Sequence, residues 1–177
     1  TQEPISKRGR RLADLAVKLA KAAGYTQMSV LRITCYMLDI GNAAVPLELL
    51  ERTGTLTAGE KDLVRSHTLR GDELLGQMGF PTEVREIVRH HHERWDGTGY
   101  PDGLKGEDIA MGARIAAIAD VFDALTSERA WRAAYRPEDA LRLMQQDAGT
   151  LFDPQLFRTF RITVMKNATF DAPSLVA

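Results

Sequence analysis

The sequence predicts an all-α fold, a single helical bundle. Apolar residues recur at helical spacing through most of the chain, helix start and stop signals bracket those stretches, and no segment sustains the alternation of a strand. The first stripe is Leu12, Leu15, Ala16, Leu19 and Ala23, with Gly24 as its stop. A second helix is predicted to start after Ser29 and to carry Val30, Ile33, Met37 and Ile40 inward until Gly41-Asn42 interrupts it. Thr57-Ala-Gly-Glu60 reads as a capping box, in which the Thr and Glu side chains each satisfy a backbone N–H of the other's residue. The helix it opens carries Leu63, Val64, His67, Leu74 and Leu75. Pro81 suits a first helical turn, and Val84, Ile87, Val88 and His91 form the next stripe. The segment from Trp95 to Asp108 holds four glycines and a proline and reads as a structured loop. A long helix follows, with Ile115, Ile118, Ala119, Phe122 and Leu125 on its buried face. Pro137 and Pro154 sit where first turns would begin, with Asp153 as an N-cap. Residues 167–177 carry little pattern and are expected to fray.

The length, 177 residues, suits one domain with one sizeable core. A composition of 44% hydrophobic and 27% charged residues is that of a globular protein. The net charge of −1 gives no support to DNA or RNA binding through bulk positive charge. The single cysteine, Cys35, lies in an apolar run and reads as a reduced core residue, which suits a cytoplasmic setting. No apolar stretch reaches membrane-spanning length, so no membrane insertion is expected. A first residue of Thr leads to the expectation that the chain is a piece of a longer protein.

The chain has four histidines, His67, His90, His91 and His92. Successive helix positions are rotated by roughly 100°, so three consecutive histidines cannot share one ligand. His91 continues the stripe of Val84 and Val88, His92 lies beside it, and His90 is expected to meet solvent. His67 follows Leu63 and Val64 on another stripe. Two inward histidines on different helices suit a metal site; spacing leaves open the alternative of core histidines bonded to backbone carbonyls. Asp39 interrupts the apolar run Met37-Leu-Asp-Ile40, and Asp120 and Asp123 lie one turn apart on a helix with a buried face. Buried carboxylates need a cation, whether a metal or one of the plentiful arginines. Arg129 and Arg132 could grip a phosphate or cap the negative end of a helix.

His91-His-Glu-Arg-Trp-Asp-Gly-Thr-Gly-Tyr-Pro101 is very similar to the HHExxDGxGYP signature of HD-GYP proteins. The resemblance runs on through Ala113-Arg-Ile-Ala-Ala-Ile-Ala-Asp-Val-Phe-Asp-Ala-Leu-Thr126, Arg129-Ala-Trp-Arg132 and Phe152-Asp-Pro154, and covers about residues 5 to 160. It implies a helical bundle that holds two or three iron or manganese ions and cleaves cyclic di-GMP. It also implies metal ligation by Asp39, His67, His91, His92 and Asp120, and nucleotide contacts from Tyr100, Asp123, Arg129 and Arg132.

The chain departs from that pattern. Where the family reads much like LHDIGK, this sequence reads Met37-Leu-Asp-Ile-Gly-Asn42, so Leu38 replaces the histidine of the His-Asp pair and Asn42 replaces a lysine. Alignment on Arg11 and Gly24 puts Pro4 and Arg8 where the family has Glu and His, and Leu151 stands where many members have His. Leucine and proline cannot ligate a metal, and arginine remains a cation. The expectation is a degenerate domain in cyclic di-GMP signalling. It holds one divalent ion or none, senses the nucleotide or engages a regulatory protein through the GYP loop, and has lost hydrolysis; the alternative is a phosphodiesterase with a reduced metal site. Arg8 is expected to stand in for a lost metal by pairing with Asp39 or Asp120.

Overall fold

The computed structural model describes residues 5–128 and 132–168. Nine α-helices occur among them: α1 (Ile5–Ala22), α2 (Met28–Met37), α3 (Leu47–Leu50), α4 (Ala58–Arg65), α5 (His67–Gln77), α6 (Thr82–His90), α7 (Met111–Thr126), α8 (Pro137–Met144) and α9 (Pro154–Ala168). Short 3₁₀ turns cover Ile40–Ala44, Gly106–Asp108 and Gln145–Asp147. The described residues form no strand beyond one isolated bridge between Ala148 and Phe152. The all-α bundle predicted from periodicity is the observed architecture.

Helix α7 is apolar almost all round, with Ala113, Ile115, Ala116, Ile118, Ala119 and Phe122 buried, so it can only sit at the centre of a bundle. Around it α1 contributes Leu12, Ala13, Ala16, Leu19 and Ala20, and α9 contributes Leu156, Phe157 and Phe160. Phe122 meets Phe160 edge to face at 5.1 Å. Each fully buried Leu, Ile or Phe contributes about 1.5–3 kcal/mol by leaving water. A smaller cluster of Leu75, Val84 and Val88 joins α5 to α6 and receives Val30, Met37, Ile40 and Phe80. Helix α2 serves both clusters, since Leu31 and Cys35 face the main core while Val30 and Met37 face the small one. The buried Cys35 thiol fits its predicted core role.

Two details depart from the periodicity. Ile33 was expected inside and is 46% exposed, because α2 turns Leu31, Thr34 and Cys35 to the main core and leaves Ile33 on the far side. Leu63 is likewise exposed. The helix opened by Thr57 stops at Arg65 and a new one begins at His67, so one stripe does not carry through. The capping box itself forms: Thr57 N donates to Glu60 Oε2 at 2.9 Å, and Glu60 N donates to Thr57 Oγ1 at 3.3 Å. Asp153 caps α9 by accepting from the N–H groups of Gln155 and Leu156. Pro137 occupies the first turn of α8. Pro81 stands one position before α6. Of the predicted frayed tail, residues 169–177 lie outside the described residues.

The turn after α2 lies hard against α5 because residue 41 has no side chain. A Cβ on Gly41 would stand 1.9 Å from the His67 carbonyl oxygen and 2.6 Å from the Gly71 amide nitrogen. Both are backbone atoms and cannot swing aside. This approach brings Asp39, two residues earlier, toward the first residue of α5. Gly41→Ala should therefore lower stability by about 3 kcal/mol, the upper part of the range for overpacking. The urea midpoint of the purified variant measures it; a loss under about 0.5 kcal/mol, the size of an ordinary surface change, would refute the packing argument.

Candidate metal centre

The ends of three helices supply the centre. Asp39 follows α2, His67 opens α5, and His91 and His92 follow α6. One ligand atom from each of these four residues lies within 4.8 Å of the others. His67 Nδ1 is 2.7 Å from the Val64 carbonyl oxygen, and His91 Nδ1 is 2.7 Å from that of Val88. A carbonyl only accepts, so Nδ1 carries the proton in both rings and Nε2 presents its lone pair. Both Nε2 atoms are buried, and neither has a hydrogen-bond partner among the described residues. They face Asp39 Oδ1 at 3.7 Å and 3.9 Å. Each ring thus bonds a backbone carbonyl through one nitrogen and leaves the other available to an ion. The His92 ring lies 4.0 Å from that of His91 and 5.1 Å from that of His67.

Burial pushes the His91 imidazole down to about 4 and, with His91 beside it, the His92 imidazole down to about 3. Both are therefore neutral near pH 7, the form that binds metals. Three imidazoles and one carboxylate, with two orphaned buried nitrogens among them, fit one first-row divalent ion. An orphaned buried nitrogen is costly, and an ion would satisfy both at once.

Arg8 reaches the other side of Asp39. Its Nη1 donates to Asp39 Oδ2 and its Nη2 to Asp120 Oδ1. Arg8 thus bridges both aspartates, as expected for a side chain standing in for a metal. Burial alone would raise the Asp39 carboxyl, but Arg8 foremost, then His91 and His67, holds it below its ordinary value. Burial pushes the Asp120 carboxyl up, only partly offset by Arg8. Asp120 lies apart from the four-residue cluster and joins it through Arg8. Leu38, at the position of the missing histidine, is 1% exposed in the main core.

Among the described residues to which the resemblance gives nucleotide contacts, Tyr100 packs against this centre. The Tyr100 ring packs on His92 with centroids 5.1 Å apart, and the Arg65 guanidinium lies over the Tyr100 ring, 5.1 Å from its centroid. Asp123 is buried and engaged by Arg11, Nε to Oδ1 at 2.6 Å and Nη2 to Oδ2 at 3.1 Å. Arg132 donates to the carbonyls of Ala124 and Leu125 and so caps the end of α7. Arg129 lies outside the described residues. His90 turns away from the cluster as predicted, but its side chain is only 12% exposed, because its Nε2 bonds Asp102 Oδ2 at 2.8 Å instead of meeting open solvent.

Sequence reasoning missed three supporting residues. Arg11 lies one turn after Arg8 on α1 and pairs with Asp123, one turn after Asp120 on α7, a spacing that could have flagged it. Glu93 Oε1 accepts from the N–H groups of Asp102 and Gly103 at 2.7 Å and 3.0 Å and so closes the GYP loop. Arg89 grips Asp102 with two bonds of 2.7 Å and 2.9 Å and reaches Asp72 on α5 at 3.1 Å. The contact of Arg65 with Tyr100 left no sequence signal.

The fold and the histidine–aspartate cluster are those of a helical domain of the HD type with a group of side chains able to hold a metal ion. The HD domain family model matches residues 1–156. The chain belongs to this family, in its HD-GYP branch. It is 38% identical over 149 residues to the cyclic di-GMP phosphodiesterase response regulator RpfG of Xanthomonas campestris, covering 82% of this chain and 39% of that protein. It is 45% identical over 123 residues to a cyclic di-GMP phosphodiesterase of Pseudomonas aeruginosa, covering 69% of this chain and 30% of that protein. The chain thus spans well under half the length of these curated relatives. An HDG"Y"P protein of Bdellovibrio bacteriovorus shares the fold with a TM-score of 0.74 at 22% identity, over 92% of this chain and 53% of that one. No helix among the described residues is long and apolar enough to cross a membrane.

The histidines make stability depend on pH in a definite sense. Unfolded imidazoles take up protons near pH 6.5, whereas His91 and His92 do so only near 4 and 3 in the fold. Between these values the unfolded state binds more protons, so stability is full above about pH 6.5 and falls as pH drops toward 4. Asp120, raised in the fold, acts in the opposite sense: its contribution is present below the ordinary carboxylate range and lost as pH rises through its raised value. In chelator, lowering pH from about 6.5 to about 5 should cost on the order of 2 kcal/mol through His91 alone. Urea melts at both values should show this, and His91→Gln should flatten the slope; an equal slope in the variant would count against it.

Proposed function

We propose that residues 1–177 form one degenerate HD-GYP domain of cyclic di-GMP signalling, which recognises the nucleotide, or a regulatory protein at the GYP loop, without hydrolysing cyclic di-GMP. The observation that carries this reading is Leu38, whose side chain is 1% exposed in the core directly before Asp39. The position that the family pattern gives to a metal-binding histidine is here committed to packing, and no rotamer change can return it to ligation. The relatives named above are cyclic di-GMP phosphodiesterases, which supports that nucleotide as the ligand class.

His67, His91, His92 and Asp39 would hold a single ion of iron, manganese or another first-row metal. Such an ion supplies positive charge for a phosphate and acidifies a bound water. Tyr100 offers an aromatic face at the rim, next to His92, for stacking against a base. Asp123, Arg129 and Arg132 are the further nucleotide contacts of this reading; Asp123 would first have to exchange Arg11, and Arg132 its helix-capping carbonyls. The four-residue set, whose ligand atoms lie close enough together to hold one ion, favours a second reading, a phosphodiesterase that works with a reduced metal site.

Calorimetry and turnover on one preparation separate the two. Cyclic di-GMP should bind saturably in the presence of manganese or iron(II), and Tyr100→Ala should weaken that binding roughly tenfold through lost stacking. Hydrolysis should be absent or far below that of an ordinary enzyme. A turnover of about 1 per second or more would establish the second reading instead. Failure to bind the nucleotide at all would leave only the protein-interaction role.

A further inference from the structure

The single-ion reading leaves Asp39 and Asp120 facing each other across a space that the ion does not fill. We infer that Arg8 is the permanent second cation of this centre, so that the domain takes up one divalent ion on the histidine side of Asp39 and no ion between Asp39 and Asp120. This deepens the proposed function and rests on its single-ion site.

Asp39 divides its carboxylate. Oδ1 faces the orphaned Nε2 atoms of His67 and His91, while Oδ2 accepts from Arg8. The other end of the same guanidinium holds Asp120. One carboxylate is thereby shared between an imidazole-lined pocket and a fixed positive charge, the arrangement of a ligand that bridges two cations. A guanidinium stays charged at any working pH, and its planar fork can serve two carboxylates at once. A second divalent ion would need the oxygens that Arg8 already holds. Without any cation there, the two carboxylates would repel each other at short range in partly buried surroundings.

Arg8 is held in place by the packing of its helix. A Cβ on Gly9 would stand 2.6 Å from Tyr36 Cδ1 and 3.1 Å from Tyr36 Cα. Helix α1 therefore crosses α2 with Tyr36 packed directly on the backbone of residue 9, and the preceding residue, Arg8, reaches past the end of α2 to Asp39. The neighbouring basic residues Lys7 and Arg10 are exposed, so the run of cations near the chain start is not a uniform solvated stretch.

The test combines metal counting with melting, and needs no catalytic readout. The wild-type domain, Arg8→Gln, Arg8→His and a Lys7→Gln control are loaded with manganese, desalted and analysed for metal. Each is also melted in chelator and in manganese. Wild type should hold one equivalent. Arg8→His, which exchanges the cation for a ligand, should hold more than one. In chelator Arg8→Gln should melt on the order of 5 °C below wild type, and Lys7→Gln should not. Manganese should recover more of that loss in Arg8→Gln than it adds to wild type. If Arg8→His does not fold, Gly9→Ala should reproduce the chelator loss by pushing α1 off α2, with every charge intact. Two equivalents in wild type would overturn the inference, and so would none. Equal melting of Arg8→Gln and wild type in chelator would also overturn it. Hydrolysis of cyclic di-GMP by a wild type that holds one equivalent would overturn the functional reading and leave the inference standing.

Discussion

The carboxylate of Asp39 sits between two unlike demands, and the arrangement of the domain follows from meeting both. Two buried imidazole nitrogens face one of its oxygens, and a guanidinium from another helix takes the other. Each demand recruits a different part of the fold. The imidazoles require the start of α5 and the end of α6 to lie at the same depth, which the Leu75, Val84 and Val88 cluster supports by packing these helices together. The guanidinium requires α1 to cross α2 closely, which the main core achieves through Leu12, Ala13, Ala16 and Leu31. Helix α2 faces both clusters and delivers Asp39 at its end, so core packing and site geometry cannot be altered independently.

Buried polar groups of this kind are stable only when every partner is supplied. The two histidines spend Nδ1 on backbone carbonyls three residues earlier in the chain, which fixes the ring direction before any ion arrives. Arg11 does for Asp123 what Arg8 does for Asp39 and Asp120. Three inward acids are thus matched by two arginines from one helix, leaving one unit of negative charge unmatched when all three acids are ionised. A divalent ion reverses that sign, and a phosphate-bearing ligand would then meet a positive centre instead of a negative one.

Much of this was legible in the sequence, for physical reasons that differ from residue to residue. The helical bundle, the capping box at Thr57 and the N-cap at Asp153 follow from local rules, and local rules survive in the fold because nothing tertiary opposes them. The pairing of Arg8 was also legible, since an arginine in a ligand position and an inward acid make a mutual demand. Ile33 misled because α2 is covered on two sides, and a helix wedged between two clusters has no single stripe to read. Leu63 misled because the chain breaks at Ser66, where the periodicity of one helix does not continue into the next. Arg132 was open between phosphate binding and helix capping, and the carbonyls of Ala124 and Leu125 hold it here. The grip of Arg89 on Asp102 was illegible, because it joins a helix to a loop whose path no periodicity describes.

That grip has a consequence for how the rim of the centre behaves in solution. The chain of charges from Arg85 through Asp72 and Arg89 to Asp102 ties the loop bearing Tyr100 to α5 and α6 from the outside. Its members are about one-sixth to one-third exposed, so dissolved ions can screen them, whereas Asp123, 2% exposed beside Arg11, is far better shielded. Rising ionic strength therefore loosens the rim before it touches the interior, and the ordering of the Tyr100 loop is set in part by the saltiness of the surroundings while the histidine pocket beneath it keeps its shape.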